Sequence, residues 1–155
     1  MANNLLSALS SNEVNAFLSH IKHFEGTFPS NLVPLPKLHT VQSYIINTEP
    51  EGQPGEHWTA LIIDKNNKVL FFDPLGVELL NIKLLETLKD SLGVKNYIYN
   101  TKTIQPLHSD GCGYYCIAFI MAFSQDITYE KFLEMFSVCK ANNESIVLNF
   151  ICNKL

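Results

Sequence analysis

There is no arginine in this 155-residue chain; all eleven basic side chains are lysine, against fifteen acidic ones, for a net charge of −4. Without guanidinium forks to pair with guanine edges or phosphates, the composition argues against specific nucleic-acid binding and leaves at most a local lysine patch. Charge of either sign is scarce at 17%, while 46% of residues are hydrophobic, the balance of a globular chain. No run of 18 uncharged apolar residues offers a membrane span, so no membrane association is expected. The start, Met1 to Leu9, has no basic region and too short an apolar stretch for a secretory signal, so the expected setting is cytosolic, nuclear or inside a particle, and not secreted. No cysteine precedes Cys112; Cys112, Cys116, Cys139 and Cys152 show no disulfide spacing and read as reduced thiols. There is no internal repeat and no low-complexity tract, and the length fits one domain, 1–155, with a core of its own.

What is present alternates between helical and extended periods. Ser10 and Glu13 have the capping-box form before a helix over residues 10–22 with Val14, Phe17, Leu18 and Ile21 on one face. His20 and His23 fall off that stripe and read as solvated. Phe24 to Leu38, punctuated by Gly26, Pro29, Pro34 and Pro36, reads as loop, and Val41 to Thr48 as a strand. His57 to Asp64 and Lys68 to Pro74 form a hairpin whose first strand is apolar on both faces, so the sheet is expected to be covered on both sides. His57 and Asp73 then lie at one end of the sheet. They share a face only if the loop has an odd number of residues, which predicts three or five, with Asn66 or Asn67 left-handed. Val77 to Ser91 carries leucines at helical spacing, and Val94 to Thr103 reads as another strand. A helix from Cys112 to about Ser124 is apolar nearly all round and must be surrounded by protein. Thr128 caps a helix to Cys139, and residues 143–153 form a last amphipathic helix. The class is α+β: a central twisted mixed β-sheet, a buried central helix with a cysteine at its first turn, and further helices packed around.

The chemistry concentrates in Gln105-Pro-Leu-His-Ser-Asp-Gly-Cys112-Gly-Tyr-Tyr-Cys116. A cysteine opening an apolar helix is ordinarily a small buried hydrophobe. Here, though, it follows a loop in which Asp110 is placed to cap the helix, and Gly111 and Gly113 are small enough to admit a substrate backbone, so both are candidate substrate-binding positions. Free N–H groups and the helix dipole at this point favour a thiolate. Gln105, seven residues upstream, is within reach to donate to an oxyanion beside the Cys112 N–H. His57, Asp73, Gln105 and Cys112 each stand at the end of an element. A histidine beside Cys112 would take its proton, and a carboxylate would orient that histidine.

Gly55-Glu-His57-Trp58, Phe71-Phe-Asp73-Pro-Leu-Gly76 and Gln105 followed by Cys112-Gly-Tyr-Tyr-Cys116 resemble the adenovirus-type (adenain-like) cysteine endopeptidases, within the superfamily that includes proteases of ubiquitin-like proteins. The similarity extends upstream through Phe24-Glu-Gly-Thr-Phe and Lys37-Leu to Ile45-Ile-Asn-Thr48. It implies Cys112 as nucleophile, His57 as general base and then acid, Asp73 as orienting carboxylate and Gln105 as oxyanion donor, with no cofactor and no metal. It also implies that Trp58 walls a narrow substrate channel favouring glycine. Asp73 stands where adenovirus enzymes commonly have glutamate, so its shorter arm requires a closer approach to the histidine. The expected substrates are capsid or other structural precursors of a virus, virophage or virus-derived transposon, cleaved in the host cytoplasm or nucleus and the virion interior. Adenovirus proteases are stimulated by a disulfide-tethered peptide and by DNA. Tyr97 to Thr103 offers no cysteine for such a tether, and an acidic, arginine-free chain is poorly suited to a DNA cofactor, so activation is expected to be unnecessary or differently arranged.

Three other readings stay open on the sequence. His108, Cys112 and Cys116 at four-residue spacing, with His57, would make a metal site. The same fold would also suit a protease or isopeptidase of ubiquitin-like proteins. It would equally suit an acyltransferase or a non-catalytic binding module.

Overall fold

The computed structural model describes residues 6–53, 57–77, 85–86, 89–90 and 97–154. Helix α1 (Ser11–Leu18) begins with the expected capping box: Ser10 Oγ accepts from the Glu13 backbone N–H at 3.2 Å, and Glu13 Oε1 accepts from the Ser10 N–H at 3.1 Å. Val14 and Leu18 are buried from it. The predicted stripe is real, but the helix stops at Leu18, and the Ile21 and Phe24 N–H groups close short turns onto Leu18 and Ile21.

Five strands, β1 (Phe24–Pro29), β2 (Gln42–Asn47), β3 (Trp58–Ile63), β4 (Val69–Phe72) and β5 (Tyr97–Tyr99), lie side by side in chain order. The outer pairs β1–β2 and β4–β5 are parallel and the inner pairs antiparallel, a mixed sheet. β1 corrects the expected loop. Its glycine and proline, which read as breakers, are tolerated because β1 is an edge strand: Gly26, at φ 133°, marks a shift of register against β2, and Pro29 ends the ladder. The β3–β4 register pairs Ile63 with Val69, leaving the five residues 64–68 as the loop, and Asn67 is left-handed at φ 62°. That odd count puts His57 and Asp73 on one face.

Alternation along β3 and β4 divides two cores. Ala60, Ile62, Leu70 and Phe72 face helix α2 (Cys112–Ser124), where Phe72 stacks on Phe119 at 5.0 Å between ring centroids. Leu61, Ile63, Val69 and Phe71 face the other way, against Tyr44, Ile46 and Leu85. The sheet is thus covered on both sides, as its two-faced apolar strands require. Helix α2 has the expected bounds and buries nearly every side chain through Ala122, having no polar face to offer water. α3 (Tyr129–Glu134) is capped by Thr128 but ends earlier than expected, because its last turn tightens to Met135→Phe132 and Phe136→Leu133 bonds and Asn143 Oδ1 takes the Ser137 N–H at 2.7 Å. α4 (Asn143–Cys152) completes the α+β fold.

β5 is shorter than the predicted Val94–Thr103 strand, of which residues 94–96 lie outside the described residues. At its end the Asn100 amide bonds the Asp73 backbone, which ends the ladder. The helix expected over Val77 to Ser91 lies largely outside the described residues; residues 85, 86, 89 and 90 are helical. His23 is not the solvated side chain expected. It is half-buried, with Nδ1 2.8 Å from Ser43 Oγ and its ring edge-on to Phe123, and burial lowers its pKa.

Candidate active site

Chain turns at three element ends build the site. His57 immediately precedes β3, and its carbonyl accepts from the Thr48 N–H at 2.9 Å, fixing it to the end of β2. Asp73 immediately follows β4, and the turn after it folds back so that its carboxylate collects three donors. His57 Nε2 lies 2.6 Å from Oδ1, Leu75 N–H donates to Oδ1 at 2.9 Å, and Val77 N–H donates to Oδ2 at 3.0 Å. Gly76 makes that turn possible: its φ is 66°, and a Cβ there would stand 2.8 Å from the Lys102 backbone. Asp73 is 1% exposed, and the short arm anticipated from the sequence is met by the close approach of His57.

With Nε2 held by Asp73, the other imidazole nitrogen is left for Cys112, which is near enough to raise the His57 pKa. Burial alone would lower the His57 pKa, but the bonds and charges of Asp73 and Cys112 outweigh it and raise the value from 6.5 to about 9. The imidazole is therefore protonated at neutral pH. Cys112 is the first residue of α2, and its sulfur receives the Trp58 backbone N–H at 3.5 Å. One turn on, Cys116 donates to the Trp58 carbonyl at 3.3 Å, and burial, then Cys112 and Asp73, push its pKa well up. It is a buried structural thiol, whereas Cys139 and Cys152 are exposed.

Gln105 enters from a loop anchored by the Pro74 carbonyl, which accepts from the Ile104 and Gln105 N–H groups at 2.9 and 3.0 Å. Gln105 Nε2 donates to the Ser109 carbonyl at 2.6 Å, while its buried Oε1 meets no donor among the described residues. His57, Trp58, Gln105 and Cys112 line one groove of about 570 Å³, together with Leu9, Glu49, Leu75 and Leu107.

Two expectations are corrected. Asp110 does not cap α2. The cap position falls one residue later, on Gly111, whose N–H goes to Ser109 Oγ at 3.0 Å, and Asp110 is exposed at the rim. Gly111 and Gly113 do not line the groove. Their open faces are filled by protein: a Cβ on Gly111 would stand 3.0 Å from Leu6, and one on Gly113 would stand 3.3 Å from Leu9 and Trp58. Trp58 is among the residues at the groove, and its indole N–H is engaged by the Leu9 carbonyl at 3.0 Å. As for the metal alternative, Cys116 turns to a carbonyl and His57 to a carboxylate, and among the described residues no three His, Cys, Asp or Glu side chains converge to hold an ion.

Residues that the motif reading missed complete the site. Asn100 Oδ1 accepts from Asp73 N–H at 2.9 Å and its Nδ2 donates to the Asp73 carbonyl at 2.6 Å, while Tyr129 O–H donates to the same Oδ1 at 3.2 Å. The only sequence signal for Asn100 is a polar residue closing an aromatic strand. The Trp58 N–H, a backbone group, has none.

The adenovirus endoprotease family model matches residues 21–138. The protease of Bovine adenovirus 7 is 33% identical over 135 residues, covering 76% of this chain and 66% of that protein. The protease of Bovine adenovirus 4 is 31% identical over 133 residues, again covering 76% and 66%. The chain thus spans just under two thirds of the length of these curated relatives. The ASFV pS273R protease shares the fold, with a TM-score of 0.65 at 15% identity over 93% of this chain and 67% of that one.

Proposed function

The chain belongs to the adenovirus endoprotease family, and from that premise we propose that it is a thiol endopeptidase cleaving viral structural precursor proteins during particle maturation. The observation that carries this reading is the grouping of Asp73, His57 and Cys112: the imidazole Nε2 is 2.6 Å from a buried carboxylate, and His57 and Cys112 share the wall of one groove. In the proposed reaction the Cys112 thiolate attacks the scissile carbonyl, and His57, already protonated, delivers its proton to the leaving amine. The Cys112 N–H, at the helix start, and the second hydrogen of Gln105 Nε2 receive the oxyanion. Water, deprotonated by His57, then hydrolyses the thioester. Trp58 and Leu9, joined by a hydrogen bond, both line the groove, and glycine next to the cleaved bond is the preference that the family resemblance carries to this site. A peptide activator, where one acts, is not held by the adenovirus-type disulfide tether, since Tyr97 to Thr103 contains no cysteine. The reaction takes place in infected cells and the virion.

The test is iodoacetamide alkylation across pH 4 to 9 with peptide mapping, alongside cleavage of glycine-rich fluorogenic peptides. Cys112 is expected to react well below pH 8, far faster than Cys139 and Cys152, and His57→Ala to lose both that reactivity and cleavage. Equal reactivity of all three thiols would sink the endopeptidase reading and leave a binding module on this fold.

A further inference from the structure

Glu144 is a carboxylate 5% exposed, on a helix that the proposed reaction does not use. One of its oxygens accepts from Ser109 Oγ and the other from the Tyr115 hydroxyl at 2.7 Å. Ser109 belongs to the loop that holds Gln105, and Tyr115 lies three residues after Cys112 in α2. The neighbouring Asn143, fully buried, donates from Nδ2 to the Ile104 carbonyl at 2.9 Å, just before Gln105. Two consecutive residues at the start of α4 thus grip the loop at both of its ends and tie it to the helix that carries the nucleophile.

That loop and that helix each supply one of the two oxyanion donors: Gln105, whose amide is itself anchored on the Ser109 carbonyl at 2.6 Å, and the Cys112 N–H. The distance between the donors depends on how loop and helix are held together. Within α2 and the loop alone, Ser109 Oγ caps Gly111 at 3.0 Å, but Glu144 is the group that joins Ser109 to Tyr115. Buried polar networks fix a single geometry only when every member is paired, and here both carboxylate oxygens and both hydroxyls are.

We propose that Asn143 and Glu144 are positioning residues of the oxyanion hole: Glu144 clamps the Gln105 loop to the α2 start, and Asn143 fixes the loop's other end. This rests on the reading of Gln105 and Cys112 given above. Both residues lie beyond the span 21–138 matched by the family model.

The test compares two reactions of the same sulfur. Acylation of Cys112 by p-nitrophenyl acetate passes through an oxyanion, whereas alkylation by iodoacetamide does not. In Glu144→Ala the acylation rate is expected to fall about 10- to 100-fold, the effect of misplacing a reacting group or its donor by about 1 Å, while alkylation stays within about twofold. Glu144→Gln, which keeps both bonds by rotation of one hydroxyl, restores most of the acylation. Should Glu144→Ala fail to fold, Tyr115→Phe, which cuts one arm, must show a smaller fall in the same ratio. A ratio of acylation to alkylation that does not move, whether both rates hold or both drop together, overturns the proposal. Glycine-rich peptides assayed in parallel separate the two readings. Hydrolysis with an unmoved ratio removes the clamp alone; a moved ratio without hydrolysis removes the endopeptidase reading and leaves the clamp.

Discussion

Replacing Asp73 by asparagine tests whether the buried carboxylate sets the charge of His57. The carboxylate accepts three hydrogen bonds, from His57, Leu75 and Val77, two on Oδ1 and one on Oδ2. An asparagine can point its oxygen at only one side. It either keeps His57 and Leu75 and opposes the Val77 N–H with its own NH2, or keeps Val77 and loses His57. In both cases the negative charge is gone, and burial, which lowers the histidine pKa, is opposed by Cys112 alone. The rise from 6.5 to about 9 corresponds to on the order of 3 kcal/mol at about 1.4 kcal/mol per pH unit, shared between Asp73 and Cys112. Assigning about half to Asp73 gives roughly a tenfold weaker hold on the imidazolium. The assay is the rate of Cys112 alkylation from pH 5 to 10. Loss of the imidazolium, seen as the alkaline change in that profile, should come about one pH unit lower in Asp73→Asn than in the wild type. Superimposable profiles would mean that Asp73 orients the ring without holding its charge, and the electrostatic argument would be wrong.

Stability should carry the same signature. His57 has a higher pKa folded than unfolded, so its contribution is fully present below about pH 6.5 and is lost as pH rises to about 9. Urea unfolding at pH 6 and pH 9.5 should therefore show the wild type losing on the order of 2–3 kcal/mol more than His57→Ala across that window; parallel losses would refute it. Gly76→Ala combines a positive φ with a Cβ 2.8 Å from the Lys102 backbone, and should cost about 2–3 kcal/mol and slow peptide cleavage by displacing the turn that bonds Asp73. A thermal melt unchanged within about 1 °C would show that the turn relaxes freely.

Local chemistry made much of this protein legible from the chain alone. Ser10 and Glu13 announce α1 because a capping box needs only residues three apart, and α2 has its expected bounds because thirteen residues without a charge have no other place than the interior. The odd loop between β3 and β4 followed from the expectation that His57 and Asp73 share a face, since side chains alternate with a period of two. The edge strand β1 was hidden because glycine and proline break a central strand yet are admitted at an edge, and only the assembled sheet has edges.

Tertiary structure alone decided the surroundings of those residues. Asn100 reaches Asp73 across 27 positions, Trp58 gives its N–H to Cys112 across 54, and Glu144 meets Ser109 across 35. No periodicity spans such separations, and a backbone N–H or a buried glutamate has the same letter whether it is solvated or clamped. Gly111 and Gly113 teach the same point from the other side: their smallness is visible in the sequence, but what approaches them, Leu6, Leu9 and Trp58 in place of a substrate, depends on how distant segments pack. The sequence by itself therefore determined which groups can do the chemistry and in what order the chain presents them. Their charge state, their donors and their distances were settled only when burial and long-range hydrogen bonds brought the element ends together.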